Sequence, residues 1–566
     1  MLPRNIADHP QAKPRSAFRL LSTVALVASV VLLATVGVLH SSELHQHLSG
    51  HATKHRLLRE LQSLQSLRLH FLIKRIPAYV HGLSEFDVLV NPVTSGDSVT
   101  FEGIATFDED GTKFEYSLVS GTAYYLAQSA TNASDRNASC LPVSDVPPID
   151  NILTALNGAI TVTDTTGIDA TVTSECSNGT LYQLMFADDD FLLCSTLPSS
   201  SSGFKIFGSD LDIEVHYTST AVAVAAPTLS EDAAASCEQT TIGTTAISST
   251  TSGLLSGAAT DWARRALKSQ ASQVAMSSSS CECSSTKRPC VFFHGLGSTN
   301  ELGLQDTSPT SYFGDIIADH APCCSSIQFG VLNTRDYGWN NESRQETACD
   351  LALQVSPTSD TSTKTIKDTI IIAHSMGNLL IGGGIANGKC SLDSSSSWVA
   401  LSAPLKGSMG SDYLQSACAG SLTGVVASVL ELLGQCPAKV GIAALAYQGG
   451  DYSSSTLNSQ YAAVQSVYAK HVTAALCSNS YTGLLSLYQP VFLLAGLAIP
   501  HKSDKNDGLV EFQSCAAGLD QTKFGSKYDS TYYVTGLNHI DTTFRYGDAL
   551  FNNAKKPVKW FECLAL

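Results

Sequence analysis

Residues 369–380 read Thr-Ile-Ile-Ile-Ala-His-Ser-Met-Gly-Asn-Leu-Leu. The apolar run Ile370-Ile371-Ile372-Ala373 has no polar break, which predicts a strand buried on both faces, the pattern of a parallel sheet with helices on either side. The turn Ala373-His374-Ser375-Met376-Gly377 follows, and then a helical run. Small residues flank Ser375 because such a strand-to-helix elbow is tight, and it presents the serine hydroxyl at the end of the sheet. This is G-x-S-x-G with Ala in first position. A chain this rich in Ser, Gly and Ala holds about one such match by chance, so the placement between strand and helix is what gives it weight.

Working outward from the elbow, apolar strand-like runs alternate with helix-like segments from Pro289 onward, as a doubly wound α/β sheet requires. The expected strands are 290–293, 327–332, 369–373, 398–402, 491–497 and 531–534. The first ends in His294-Gly295-Leu296-Gly297, a Gly-rich turn suited to presenting backbone donors to an oxyanion. A serine needs a base, and a base needs an orienting acid. Of the fifteen histidines, His539 follows the last strand-like run in Asn538-His539-Ile540-Asp541. His294 and His374 read as residues bracing their turns. His320, His471 and His501 lack strand-end placement, and five more crowd positions 40–55. Two carboxylates compete for the acid, Asp504 and Asp507, in Asp504-Lys-Asn-Asp507-Gly508-Leu509-Val510. Gly508 permits a tight turn and Leu509 and Val510 can bury its base, so Asp507 is preferred.

These segments, in this order, resemble the α/β-hydrolase lipases, particularly secreted bacterial triacylglycerol lipases. Ser402-Ala-Pro-Leu-Lys-Gly-Ser408 is similar to the loop after the strand that follows the nucleophile helix, and the resemblance covers residues 289–566. It implies a triad of Ser375, Asp507 and His539, with the backbone N–H groups of Leu296 and Met376 as oxyanion donors. It implies no redox cofactor or nucleotide. Lipases of this kind often hold a structural calcium through an Asp two residues after the base, here Asp541, although no companion acidic ligand stands out. The apolar stretch 422–446, inside an insertion near 418–489, lies where a lid or acyl-binding cap is expected; a buried pair of core helices explains the same residues.

Upstream the chain is organised differently. After a basic tail, residues 1–19, a run of twenty residues without charge (20–39) is long enough to span a bilayer. An uncleaved signal anchor is the preferred reading, while Thr35 and Gly37 offer a small-residue cleavage site for a secreted form. Leu57, Leu61, Leu64, Phe71 and Leu72 recur among Arg and Lys, which reads as a basic amphipathic helix within a juxtamembrane region, 40–83. Residues 84–218 turn to short β-rich runs, including 98–107, 113–119, 181–186 and 211–217, and form a separate sheet domain without a catalytic constellation. Residues 219–288 are a Ser/Thr/Ala-rich linker, with one short amphipathic stretch at 262–268.

Composition fixes the setting. Lys and Arg total 34 against 50 Asp and Glu, a net charge of −16, which excludes a basic footprint for nucleic acid. Sixteen cysteines without paired C-x-x-C knuckles fit disulfides in an oxidising compartment rather than zinc. Sequons at Asn132, Asn137, Asn178 and Asn341 agree with a lumenal or extracellular location. The expectation is a serine acyl hydrolase, a lipase or carboxylesterase acting on a lipid or other ester. A fatty-acyl protein thioesterase would use the same triad. An idle surface or effector protein, binding through its β-rich domain, is the reading from outside enzymology.

Overall fold

Alternation decides the first sheet. Strand β1 (Ser66–Ile73) buries Leu67, Leu69, Phe71 and Ile73 on one face, while Arg68 faces solvent. This computed structural model describes residues 66–566 except 96–97, 133–135, 142–153, 157, 196–202, 230–233, 235–236, 240–279, 422–428, 431, 433, 435, 485 and 487. Ten further strands complete an antiparallel sheet: β2 (Glu85–Ser95), β3 (Ser98–Glu109), β4 (Thr112–Val119), β5 (Thr122–Ser129), β6 (Arg136–Leu141), β7 (Ile160–Thr161), β8 (Thr180–Phe186), β9 (Asp189–Ser195), β10 (Gly203–Phe207) and β11 (Leu211–Thr218). Their order is β6-β5-β4-β3-β2-β1-β11-β10-β9-β8-β7. The first and last strands therefore pair at the centre, Leu69 opposite Val215.

The second sheet is mixed and carries helices. Its strands are β12 (Arg288–Phe293), β13 (Gly303–Gln305), β14 (Cys324–Val331), β16 (Ile370–His374), β18 (Ser397–Leu401), β19 (Val472–Ser478), β20 (Phe524–Gly525) and β21 (Tyr532–Thr535), while β15 (Thr365–Ile366) and β17 (Ser391–Leu392) form a small pair apart. The order is β13-β14-β12-β16-β18-β19-β21-β20, parallel except at β13. Its main helices are α1 (Glu342–Val355), α2 (Met376–Ala386), α3 (Met409–Cys418), α4 (Ser455–His471) and α5 (Gln489–Ala498). Alternate residues of β12, β16 and β18 enter two cores on opposite faces: Val291, Ile371 and Ala400 pack with α1, α2 and α4, whereas Phe292, Ile372 and Val399 pack with Phe313, Trp560 and Phe561. Strand order runs outward in both directions from β12 and β16, so the ends of these two strands border the crevice where ligands bind in open α/β sheets.

Three sequence readings are corrected. Residues 66–73 are a central strand and not part of an amphipathic helix, so the β-rich body begins at 66 rather than 84; Leu57, Leu61 and Leu64 lie outside the described residues. Residues 491–497 belong to helix α5, and the sheet strand ahead of the Asp507 loop is β19. The 418–489 insertion is also smaller than expected, because α4 and β19 within it are parts of the second sheet's own body. The anchor at 20–39, the stretch 262–268 and most of the linker lie outside the described residues. Among those described, no helix is long and apolar enough to cross a membrane.

The two sheets meet over a buried, charged interface. Arg75 reaches Asp548 at 2.8 Å and Glu562 at 2.6 Å, all three side chains being nearly inaccessible. Lys559 pairs with Asp210 at 2.9 Å and Lys556 with Asp189 at 3.2 Å. Leu493, Leu550 and Phe551 from the second body join the apolar core of the first. All sixteen cysteines are paired, two bridges within the first body and six within the second, and none crosses between them.

Candidate active site

Ser375 ends β16 and caps α2 with φ 51° and ψ −126°, a conformation an L-residue holds only when its surroundings enforce it. Its N–H donates to the Leu401 carbonyl at the end of β18, 2.9 Å away. Asn378 ties the turn from inside, its amide donating to the Ala373 carbonyl at 2.8 Å while its oxygen accepts from the Trp398 indole at 3.1 Å. The flanking glycines are steric requirements. A Cβ on Gly377 would stand 2.7 Å from the Phe293 carbonyl oxygen, and one on Gly295 would stand 2.7 Å from Cβ of Ser375.

His539 follows β21 and brings Nε2 to 2.9 Å from the Ser375 hydroxyl and Nδ1 to 2.7 Å from Oδ2 of Asp507. The backbone repeats the link, His539 N–H donating to the Asp507 carbonyl at 2.9 Å. Asp507 sits on a turn whose amides at Leu509 and Val510 donate to its Oδ1 at 3.0 and 2.7 Å, and Gly508 adopts φ 94° there. These three side chains are buried, whereas Asp504 is exposed. A carboxylate only accepts, so it holds the imidazole proton on Nδ1 and leaves Nε2 to accept from the serine. The arrangement can raise the nucleophilicity of one hydroxyl and stabilise an imidazolium beside it.

Leu296 lies on the turn after β12, and Met376 is the first residue of α2, where backbone N–H groups have no partner within the helix. The preceding amide, Gly295, donates instead to the Tyr312 hydroxyl at 2.9 Å. His294 braces the same turn: Leu332 N–H donates to its Nε2 at 3.1 Å, so its Nδ1 carries the proton shared with the Gly295 carbonyl at 2.8 Å. Burial pushes the His294 pKa down. His374 is wholly buried, its pKa driven well below the ordinary histidine range by burial first and by His539 second. It lies between the Tyr312 hydroxyl, 2.6 Å from Nδ1, and the His539 carbonyl, 3.0 Å from Nε2. Sequence reasoning missed Tyr312, which belongs to no motif and reaches the site through a short turn at 309–312.

Asp541 is fully buried two residues beyond His539. Its Oδ2 accepts from Leu484 N–H at 2.5 Å, and burial pushes its pKa up to about 7. Among the described residues no group of three His, Cys, Asp or Glu side chains converges as metal ligands. The ammonium of Lys555 bears on Asp541 and opposes that rise in pKa. The Asp541 carboxyl has raised proton affinity, a lysine charge beside it and one oxygen, Oδ1, without a hydrogen-bond partner; among the described residues this falls short of the oxygen-rich anionic cage that calcium takes.

No protein-family model and no curated protein matches the chain. Among solved structures it is similar to a lipase of Staphylococcus hyicus, 15% identical over 50% of this chain and 94% of that one, with a TM-score of 0.27. A metagenomic carboxyl esterase is 12% identical over 50% of this chain and 74% of that one, TM-score 0.27. LprF from Mycobacterium bovis is 11% identical over 31% of this chain and 97% of that one, TM-score 0.18.

Proposed function

We propose that the chain is a serine acyl hydrolase of the α/β-hydrolase type, cleaving a lipid or other carboxylic ester through an acyl-enzyme. One observation carries this reading: the unbroken hydrogen-bonded line from Ser375 to His539 to Asp507, with its serine on a strained elbow at the end of a parallel strand. As Ser375 attacks the ester carbonyl, His539 takes the hydroxyl proton at Nε2, and Asp507 stabilises the imidazolium through Nδ1–H. The amides of Leu296 and Met376 receive the charge that develops on the carbonyl oxygen. His539 then returns the proton to the departing alcohol. Water repeats the sequence against the acyl-serine, which restores the hydroxyl.

The setting proposed for this chemistry is the secretory side of a membrane. Eight disulfides consume every cysteine, which suits an oxidising compartment. The 20–39 run would then serve as a signal anchor or as a removed leader. The test is labelling with a fluorophosphonate probe, alongside hydrolysis of p-nitrophenyl esters of graded chain length and matching thioesters. Ser375→Ala should abolish labelling and lower turnover by about four to six powers of ten. Labelling that survives this substitution removes Ser375 from the nucleophile's place, and faster cleavage of thioesters than esters redirects the substrate class.

A further inference from the structure

The turn 482–484 lies directly behind His539, between the Asp541 carboxyl and the Lys555 ammonium, both of which belong to the chain itself. On one side, Leu484 N–H donates to Oδ2 of Asp541 at 2.5 Å. On the other, the Lys555 ammonium donates to the Thr482 hydroxyl at 2.9 Å and to the Gly483 carbonyl at 3.0 Å. Both charged residues are buried, Lys555 at 2% exposure and Asp541 at 0%. The turn is pinned to the strand end before the base as well, Gly483 N–H donating to the Gly536 carbonyl at 3.0 Å. Gly483 has φ 71°, and a Cβ there would stand 2.2 Å from both Asn538 Nδ2 and Asp541 Oδ2, so the segment 538–541 is packed against it without spare room.

We propose that the Lys555 ammonium is the resident cation of this loop, holding the His539 segment to the 482–484 turn in the role a bound calcium would have at Asp541. A lone buried carboxylate is costly, and burial raises the Asp541 pKa to about 7 even with the Lys555 charge opposing it, so the lysine offsets part of that cost. Lysine supplies a single charge on a tether, fixed by two oxygen acceptors. A divalent ion entering beside it would meet like-charge repulsion at close range, and it would find the Thr482 hydroxyl and the Gly483 carbonyl already taken by the ammonium. The stem of Lys555 is part of the fit: a Cβ on Gly536 would lie 2.9 Å from its Cε, so strand end and lysine have matching shapes. The assignment concerns the architecture around residues 538–541 and stands apart from the reaction proposed for Ser375; only the description of His539 as the base rests on that reading.

The experiment is thermal melting of the purified protein, in chelator and in millimolar calcium, with calorimetric titration of calcium into the chelator-treated sample. Wild-type protein should melt at the same temperature in both and take up no calcium at this position. Lys555→Met keeps the stem and deletes the charge, and should lower Tm by several degrees, the effect of removing its bonds to Thr482 and Gly483 and the charge that faces Asp541. Should that variant fail to fold, the wild-type measurements still decide. A wild-type Tm that drops in chelator, recovers with calcium, and loses this response in Asp541→Asn would overturn the proposal. None of these readouts depends on turnover, so an inactive protein leaves the inference testable.

Discussion

The hydroxyl of Tyr312 lies 2.6 Å from Nδ1 of His374, and this contact sets the protonation pattern of the wall behind the base. The other ring nitrogen faces the His539 carbonyl at 3.0 Å, and a carbonyl only accepts, so His374 carries its proton on Nε2. Nδ1 must then accept from Tyr312, whose oxygen in turn accepts the Gly295 amide. Burial raises the tyrosine pKa and lowers that of the histidine, so both stay neutral. Three turns of the site, at Gly295, His374 and His539, are thereby joined by one directional chain of hydrogen bonds.

Tyr312→Phe removes the middle of that chain and leaves the Gly295 amide and His374 Nδ1 without partners. Each orphaned buried group costs about 1–3 kcal/mol, and the loss falls on geometry rather than on substrate contact. The expected result is a kcat lower by roughly one to two powers of ten with KM little changed. Nitrogen-15 spectra of the wild-type protein should show His374 as the neutral Nε2–H tautomer. Finding the Nδ1–H tautomer instead refutes this hydrogen-bond direction.

Asp507→Asn should cost about four powers of ten in turnover, because the amide no longer fixes the imidazole tautomer. Asp504→Asn should stay close to wild type, its side chain being exposed. Both variants are to be compared on one ester at matched melting temperature. A large loss at 504 with normal turnover at 507 would reverse the assignment.

Asp412 gives a pH signature for stability. Burial raises its pKa to about 6, with the Tyr447 amide donating to Oδ1 at 2.9 Å. Because the folded-state pKa lies above the unfolded one, the folded chain binds more protons between about pH 4 and 6, and stability falls as pH rises through that window. Asp412→Asn keeps the acceptor and deletes the charge. Its Tm should exceed wild type by a few degrees at pH 8 and match it at pH 4; equal melting at both pH values counts against the charge as the cause.

Arg75 is a third site where charge and burial meet. Arg75→Met strips the partner from Asp548 and Glu562, both buried at the junction of the two sheets. Breaking such a cluster costs about 3–5 kcal/mol. The variant should melt several degrees lower, with increased proteolysis at the sheet junction. An unchanged Tm would mean that the interface rests on its apolar contacts alone.

How far the sequence discloses this architecture depends on the kind of signal. The strand-elbow-helix run at 369–380 is legible because periodicity, small residues and order agree within a dozen positions, and Asp507 and His539 follow from chain order. Helix α5 was misread because Val-Phe-Leu-Leu-Ala-Gly-Leu is apolar on every side, and periodicity cannot separate a buried helix from a strand. Its faces meet different neighbours, Leu493 entering the first sheet's core while Ala495 and Ile499 pack with α3. Strand β19 was missed because α4 runs into it at Val472 with no turn residues between. For β1, the two-residue alternation of Leu67, Leu69, Phe71 and Ile73 is hidden in sequence because Leu57, Leu61 and Leu64 upstream extend it at helical spacing. Tyr312 and Lys555 carry no local signal, since their partners lie 17 and 62 positions away for the tyrosine and 72–73 for the lysine.

The partition of the disulfides imposes an order on biosynthesis. The four cysteines of the first body, 140, 176, 194 and 237, have only three ways to pair, and all four emerge from the ribosome before Cys281. That body can complete its covalent frame while the catalytic one is still being made. Cys281 belongs to the opposite extreme, since its partner Cys563 is 282 residues away. It must remain reduced, or be held by a temporary partner, through the synthesis of nearly the whole catalytic body. Cys283, Cys290, Cys323 and Cys324 are made long before Cys563 and pair among themselves in the folded chain. Production of this protein in a host without disulfide isomerase should therefore spoil the catalytic half first, leaving a correctly oxidised β-rich half behind.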